Sequence, residues 1–348
     1  MSTRYFLALN GVKGDSLNST YRGWFEVSGF DIDLVDAGAG TAAFSPLTLT
    51  LGSNSGLASL LALAATGEHL SGATLVGVND AGQQVYHLDL ADVSVMNVDH
   101  HAEAFSEDGP TLTLDYGKIE LETFTQNGTG GAVPEGQFGF DRTANTDGIS
   151  VPSADPGGSV AATPEGRAMD YFMLIPGLNG GSVDLQHRGW FEITAVDLDM
   201  EKLAAGDFAS LNVTVPGAVD LPELFKMAMT GGDLAGHGPI RGVHIEGITR
   251  VGATPTKVYD LTLADVRVSN LAVTHAAGSE TLDYNMSLDY RRIALVTNGI
   301  DGSGKPVKNG EFGYDVTNHT EIAPFSLGLT PGDGLSSFGG GHQVFSSA

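Results

Sequence analysis

The residues with the best spacing for chemistry come in four groups, and each is weak on its own terms. Gly299-Ile-Asp-Gly-Ser-Gly304-Lys305 has the spacing of a phosphate-binding loop. Pro306 stands where such a loop needs the Mg²⁺-binding Ser or Thr, and a strand follows where a helix should. The matching segment Asn127–Pro134 has no Lys, so both read as hairpin loops. Asp31 with Asp33, and Asp197 with Asp199, put paired carboxylates on one strand face, the geometry of a Ca²⁺ ligand pair or a glycosidic acid/base pair. They alternate with apolar residues and read as a solvated outer face. His100-His101 and His275 could bind a metal, but no two His stand at i, i+4 and no carboxylate motif supports them, so they read as loop residues. No Gly-x-Ser-x-Gly elbow occurs, and the chain has no cysteine, which removes thiol nucleophiles, thiolate metal sites and disulfides together. The expectation is no enzyme, no catalytic residue, no metal and no cofactor.

The elements that carry these residues are written twice along the chain. Tyr5-Phe6-Leu7 recurs as Tyr171-Phe172-Met173, and Gly11 and Gly14 recur as Gly177 and Gly180. Arg22-Gly-Trp-Phe-Glu26 returns unchanged as Arg188-Gly-Trp-Phe-Glu192, and Leu90-Ala-Asp-Val93 as Leu263-Ala-Asp-Val266. Leu114-Asp-Tyr116 matches Leu288-Asp-Tyr290, and Gly136-Gln-Phe-Gly-Phe-Asp141 matches Gly310-Glu-Phe-Gly-Tyr-Asp315. Order is kept throughout, so this is a duplicated domain.

Within each copy the period-two pattern of strands dominates. Its apolar phase flips after Gly29 and again at the matching place in the second copy, as a bulge or sharp bend requires. One stripe per copy is helical. Leu57, Leu60, Leu61, Ala64 and Ala65 follow Ser55 as N-cap and end at Gly67; Leu221, Leu224, Phe225, Ala228 and Met229 end at Gly231, with Asp220 and Glu223 at capping-box spacing. The fold class expected is mainly β, two tandem small two-sheet β-barrels, each with one short flanking α-helix. The boundaries are 1–142 for the first barrel domain, 143–167 for a flexible linker, 168–317 for the second barrel domain, and 318–348 for a Gly/Ser-rich C-terminal tail.

Composition narrows the partners. The 348 residues give 42 acidic against 17 basic side chains and a net charge of −25, which repels nucleic acid and anionic membrane. No apolar run approaches the ~20 residues that span a bilayer, and the N-terminal segment lacks the features of a cleaved leader. Trp24 and Trp190, the two tryptophans, share a strand face with Arg22, Glu26, Arg188 and Glu192. These six, with Phe338 and Phe345 of the tail, are the candidate assembly interface, because Trp and Arg favour interface centres; the other reading of each indole is that it lies under a loop of its own domain.

The ordered set of segments resembles the Hcp family, the inner-tube protein of the bacterial type VI secretion system. The residues that carry the likeness are Tyr5-Phe-Leu7, Gly11–Asp15, Arg22–Val27, Phe44–Thr50, Ala65–Leu70 and Tyr86–Val93, repeated more loosely in the second copy. The resemblance implies a two-sheet barrel with a flanking helix. It further implies self-assembly into rings and tubes, with sheath, spike and effector proteins as partners, and export from the cytoplasm without a cleaved signal peptide. Because two barrels arrive on one chain, three chains are expected to make a pseudo-hexameric ring with two alternating interfaces. A linker of roughly 25 residues reaches about 25–30 Å, enough for adjacent docking. The alternative is a secreted binding module or cargo carrier built on the same barrel.

Overall fold

The computed structural model describes residues 2–36, 42–103, 109–126, 131–158, 169–201, 207–217, 220–232, 238–251, 254–274, 283–301 and 303–330. The first repeat contributes β1 (Thr3–Leu9), β2 (Phe25–Asp31), β3 (Leu34–Asp36), β4 (Ala42–Phe44), β5 (Leu47–Leu51), α1 (Leu57–Thr66) and β6 (His69–Asn79). It continues with β7 (Gln84–Glu103), β8 (Thr111–Asp115), β9 (Lys118–Gln126), β10 (Ala132–Asp141) and β11 (Thr146–Asp147). The second repeat contributes β12 (Met169–Leu174), β13 (Phe191–Ile193), β14 (Ala195–Glu201), β15 (Asp207–Phe208), β16 (Leu211–Pro216) and α2 (Leu221–Thr230). It closes with β17 (Ile240–Val251), β18 (Thr254–Thr274), β19 (Asp283–Asp289), β20 (Arg292–Ile300), β21 (Pro306–Asp315) and β22 (Thr320–Glu321).

Antiparallel pairings close a six-stranded circuit in the first repeat: β1–β2–β5–β8–β7–β6 and back to β1. β9 follows β8 along the same edge of β7, and β10 and β11 extend from β9. The second repeat builds the same circuit from β12, β13 with β14, β16, β19, β18 and β17. The phase flip read after Gly29 is a real irregularity. The β2–β5 register shifts between Val27 and Gly29, and in the second repeat the strand breaks at Thr194 into β13 and β14.

Several of the repeated motifs turn out to be backbone devices. In Leu-Ala-Asp-Val the Asp sits in the left-handed region in both copies, Asp92 at φ 54° and Asp265 at φ 56°. Asp tolerates that region better than most residues, and it kinks the long strand where it passes from one part of the barrel to the next. In Leu-Asp-Tyr the phenol closes a loop: Tyr116 donates to the Ser45 carbonyl at 3.1 Å and Tyr290 to the Ala209 carbonyl at 3.2 Å. The helix starts differ from expectation. Gly56, not Ser55, is the N-cap of α1, and Asp220 caps α2 in a left-handed conformation without a side-chain cap bond. The Asp220 carboxylate instead accepts the Asn179 N–H.

The segments after each barrel act as straps. Within the stretch read as a linker, the Val151 N–H donates to Glu120, Ala154 N–H to Thr74 Oγ1 at 2.7 Å, and Asp155 N–H to Asn10 Oδ1 at 2.6 Å. After the second barrel, Ile322 N–H donates to the Gly313 carbonyl at 2.9 Å, Arg241 donates to the Leu327 carbonyl at 3.1 Å, and Arg292 lies over the Phe325 ring. This part of the tail therefore covers its own repeat; Phe338 and Phe345 lie outside the described residues.

The repeated Gly14 and Gly180 have a steric cause. A Cβ on Gly14 would stand 2.3 Å from the Trp24 carbonyl oxygen, and one on Gly180 would stand 2.2 Å from the Phe191 nitrogen. Backbone cannot yield as a side-chain tip can, so Gly14→Ala and Gly180→Ala are each expected to cost about 1–3 kcal/mol as overpacking does. Thermal unfolding of the two variants checks this: unchanged midpoints would mean the loops relax freely.

Candidate assembly interface

The motifs that could have done chemistry resolve into structure. In the Gly299–Lys305 segment the Asp301 carboxylate accepts the backbone N–H groups of Ser303 (2.8 Å) and Lys305 (3.0 Å), which closes a hairpin loop from β20 into β21. Asp31 and Asp33 are exposed as expected. His275 lies outside the described residues. His100 and His101, read as loop residues, are instead in β7, which runs on to Glu103 because a strand from the other repeat pairs with it.

That strand is β14. Its residues Ala195–Glu201 pair antiparallel with Glu103–Asn97, with Leu198 opposite His100 and Asp197 opposite His101. β7 therefore has β6 along the first part of one edge and the second repeat's β14 along the rest. Alternation sends Val98, His100 and Ala102 inward with Val196, Leu198 and Met200, all buried. Asp99, His101, Asp197 and Asp199 take the opposite face. Burial, then the nearby Asp197, raises the pKa of Asp99.

The helix α1 makes the second half of this seam. It packs on β14, β20, β21 and β22 of the second repeat. Tyr314 donates to the Ala65 carbonyl at 3.5 Å, and a Cβ on Gly310 would be 3.0 Å from the Cβ of Ala58. As a result Leu57, Ala58, Leu60, Leu61, Leu63, Ala64 and Ala65 are all buried. The equivalent helix α2 buries only Leu224 and Met227, which correspond to Leu60 and Leu63. Phe225 is 44% exposed and Met229 86%, where Leu61 and Ala65 are covered. The apolar residues of both repeats, α1 included, form one continuous core cluster.

The residues singled out for assembly sit elsewhere. Trp24 packs edge-on to Tyr21 and joins Phe6, Val76 and Val78 in a small separate cluster of its own repeat. Trp190 contacts His187 and His244, also within its repeat. Glu26 and Glu192 accept hydrogen bonds from Ser16 and Ser182, and Arg22 and Arg188 are exposed. None of these contacts crosses the seam.

Around Trp190 lies a charged group that the sequence did not announce. His244, Glu246 and Asp260 bring ligand atoms close enough to hold a metal ion. The Lys257 ammonium already sits among them, 3.0 Å from Glu246 and 2.5 Å from Asp260, and serves as their cation. His187 bridges Asp184 and Glu246 at 2.9 and 3.0 Å. Burial opposes its charge, but those two hydrogen bonds outweigh burial and raise its pKa. The alternation of His244 and Glu246 on β17 was the available signal, but their partners come from β18 across a register shift.

One seam residue is chemically odd. His100 is fully buried, its ring 5.6 Å from that of Tyr259, and neither ring nitrogen has a hydrogen-bond partner. Burial, reinforced by the neighbouring His101, lowers its pKa from 6.5 to about 4. Folded and unfolded chains bind no proton here above about pH 6.5. Below that, only the unfolded state takes one up until about pH 4, so stability falls through this window, by about 3 kcal/mol at most. His100→Val should remove this loss. The expected result is a gap in melting temperature between variant and parent that widens from pH 7 to pH 4; a gap independent of pH would show that His100 does not titrate.

Residues 6–122 match the family model described as "Type VI secretion system effector, Hcp". No curated protein sequence matches the chain. Among solved structures it is similar to Hcp1 from Salmonella typhimurium, at 20% identity over 42% of this chain and 99% of that one, TM-score 0.36. It is also similar to a type VI secretion system effector from Yersinia pestis, at 17% identity over 39% and 98%, TM-score 0.35. The secreted protein Hcp3 from Pseudomonas aeruginosa aligns at 17% identity over 44% and 100%, TM-score 0.29. Among the described residues no helix is long and apolar enough to cross a membrane. The family model is seated on the first repeat, over a closed six-stranded barrel, and the same order of motifs is written again after residue 168; the first repeat is similar to Hcp proteins of the type VI secretion system.

Proposed function

We propose that the chain is a structural subunit of a type VI secretion tube, three chains closing each ring of six repeats, and that it has no catalytic role. The match of the first repeat to the Hcp family model supports the tube-protein role. The stoichiometry rests on one observation: the same helix is buried in one repeat and open in the other. α1 lies against the second repeat with seven residues buried, whereas α2 offers Phe225 and Met229 to solvent. A contact in which surface X of one unit meets surface Y of the next is heterologous. Repeated, it closes into a ring or runs on as a filament. Within the chain one X–Y contact is made, and one X and one Y are left over.

On this reading the surplus X of one chain takes the surplus Y of the next, and the ring closes at three. The Arg22-Trp24-Glu26 and Arg188-Trp190-Glu192 faces lie away from that seam, and in this proposal they serve contacts with other rings or with sheath and spike proteins. Export follows assembly, by the secretion machine itself.

Native mass spectrometry with negative-stain imaging tests the reading. Rings with a mass of three chains, stacking into tubes at high concentration, are the expected outcome. Rings of six chains, or a lone monomer at high concentration, would overturn it; the monomer would favour a carrier or binding module on the same barrel.

A further inference from the structure

Resting on that reading, we propose that the contact between chains copies the internal seam in strand register: residues 271–274 of β18 pair antiparallel with residues 31–34 of a second copy, while its β10 receives α2. The strand half comes from the repeat alignment. The shared motifs relate residues 29–35 to β14 by a constant offset, Arg22–Glu26 matching Arg188–Glu192, and relate the distal end of β18 to that of β7 through Leu90–Val93 and Leu263–Val266. Carrying the observed pairs Asp197–His101, Leu198–His100, Asp199–Asp99 and Met200–Val98 across gives Asp31–Thr274, Ile32–Val273, Asp33–Ala272 and Leu34–Leu271.

Among the described residues, both edges are open to receive a strand. β17 covers its edge of β18 only as far as Val266, and β19 takes the opposite edge. β2 pairs with β5 from Gly29 to Asp31, and among the described residues no strand lies on its other side there. An open edge is a row of unmet N–H and C=O groups, the template for exactly one kind of partner, another strand. The side chains agree. Val273 is 39% exposed where its counterpart His100 is fully buried, and Ile32 is half-buried where Leu198 is buried.

The sheet that would receive α2 is likewise unfinished. Phe138 is 43% exposed, while its counterpart Phe312, under α1, is buried. Gly310 is closed over by Ala58, but a Cβ on its counterpart Gly136 would meet only Thr123 Oγ1 at 3.8 Å. Gly136 thus keeps, in the single chain, the space that a helix fills at the internal seam. The occupant is a second copy because the one helix whose equivalent makes this contact is the chain's own α2, and α2 cannot reach the first repeat of its own chain while α1 holds the second.

A chain without cysteine makes the register directly testable. Directly opposed antiparallel residues have Cα atoms about 4.5–5.5 Å apart, within disulfide reach. Ile32→Cys with Val273→Cys should, on mild oxidation, join three chains covalently. Asp31→Cys with Thr274→Cys, on the exposed face, should do the same where burial of a thiol harms folding. Ile32→Cys with Ala272→Cys puts the thiols on opposite faces and should cross-link at least tenfold less. Gly136→Val should leave the melting of the single chain unchanged and lower the ring population at least tenfold. Cross-linking as strong in the offset pair, or three-chain rings that neither cross-link in register nor weaken with Gly136→Val, would overturn this contact and leave the ring standing. Absence of three-chain rings in the parent protein would overturn both.

Discussion

The structure depends on one stretch of strand edge, Asn97–Glu103 of β7. In an isolated barrel this edge would be a liability, because exposed ladder groups recruit whatever strand they meet. Here β14 takes it, and the consequence spreads through the molecule. Pairing brings the second repeat alongside the first, which carries α1 onto β20–β22, which buries the whole of α1 and merges two cores into one cluster. Remove that ladder and the apolar composition of α1 has no explanation. A helix reading Leu-Ala-Ser-Leu-Leu-Ala-Leu-Ala-Ala-Thr is apolar all round, which suits a helix with protein on every side and not one at a surface.

The two helices record two different lives. α1 is small and smooth on its outward side, with Ala58, Ala62 and Ala65, and it meets its partner within the same chain, where folding alone brings them together. α2 replaces these with Pro222, Lys226 and Met229, and puts Glu223 where α1 has Ser59. It has a polar face and a separate apolar one. A surface that must stay in water until a partner arrives needs such a division, and a net charge of −25 further opposes indiscriminate association. In the proposed ring, larger side chains such as Phe225 and Met229 suit a contact made between separate molecules, because more apolar area is removed from water.

Much of the fold was legible because its rules are local or repeated. Alternation located the strands, the i, i+3, i+4 stripes located both helices, and the repeated Gly14, Asp92 and Tyr116 each mark a backbone that admits few alternatives. What was not legible is long-range. His100-His101 sits next to no turn signal, yet it reads as a loop until β14, nearly a hundred residues on, is known to pair with it. Likewise composition leaves Trp24 and Trp190 open between an interface anchor and packing within their own domain, and the fold is needed to place Phe6, Tyr21 and His187 of their own repeats beside them. The seam itself left a trace in the sequence after all: of two copies of one helix, one is apolar all round and the other on one side only.

His100 shows why the two kinds of seam need not share chemistry. An imidazole with no partner for either nitrogen is costly to bury, since its hydration is lost and nothing replaces it. A contact between separate molecules would show that cost directly as lost affinity. Inside one chain the strands meet at high effective concentration, and the core that the two barrels share reinforces the pairing of β7 with β14. The internal seam can therefore hold a polar residue against Tyr259, while the equivalent position on the open edge is Val273, opposite an apolar Ile32 in the register carried over from the internal seam. In the proposed ring this strand position diverges accordingly: His100 where the chain enforces the contact, Val273 where solution must.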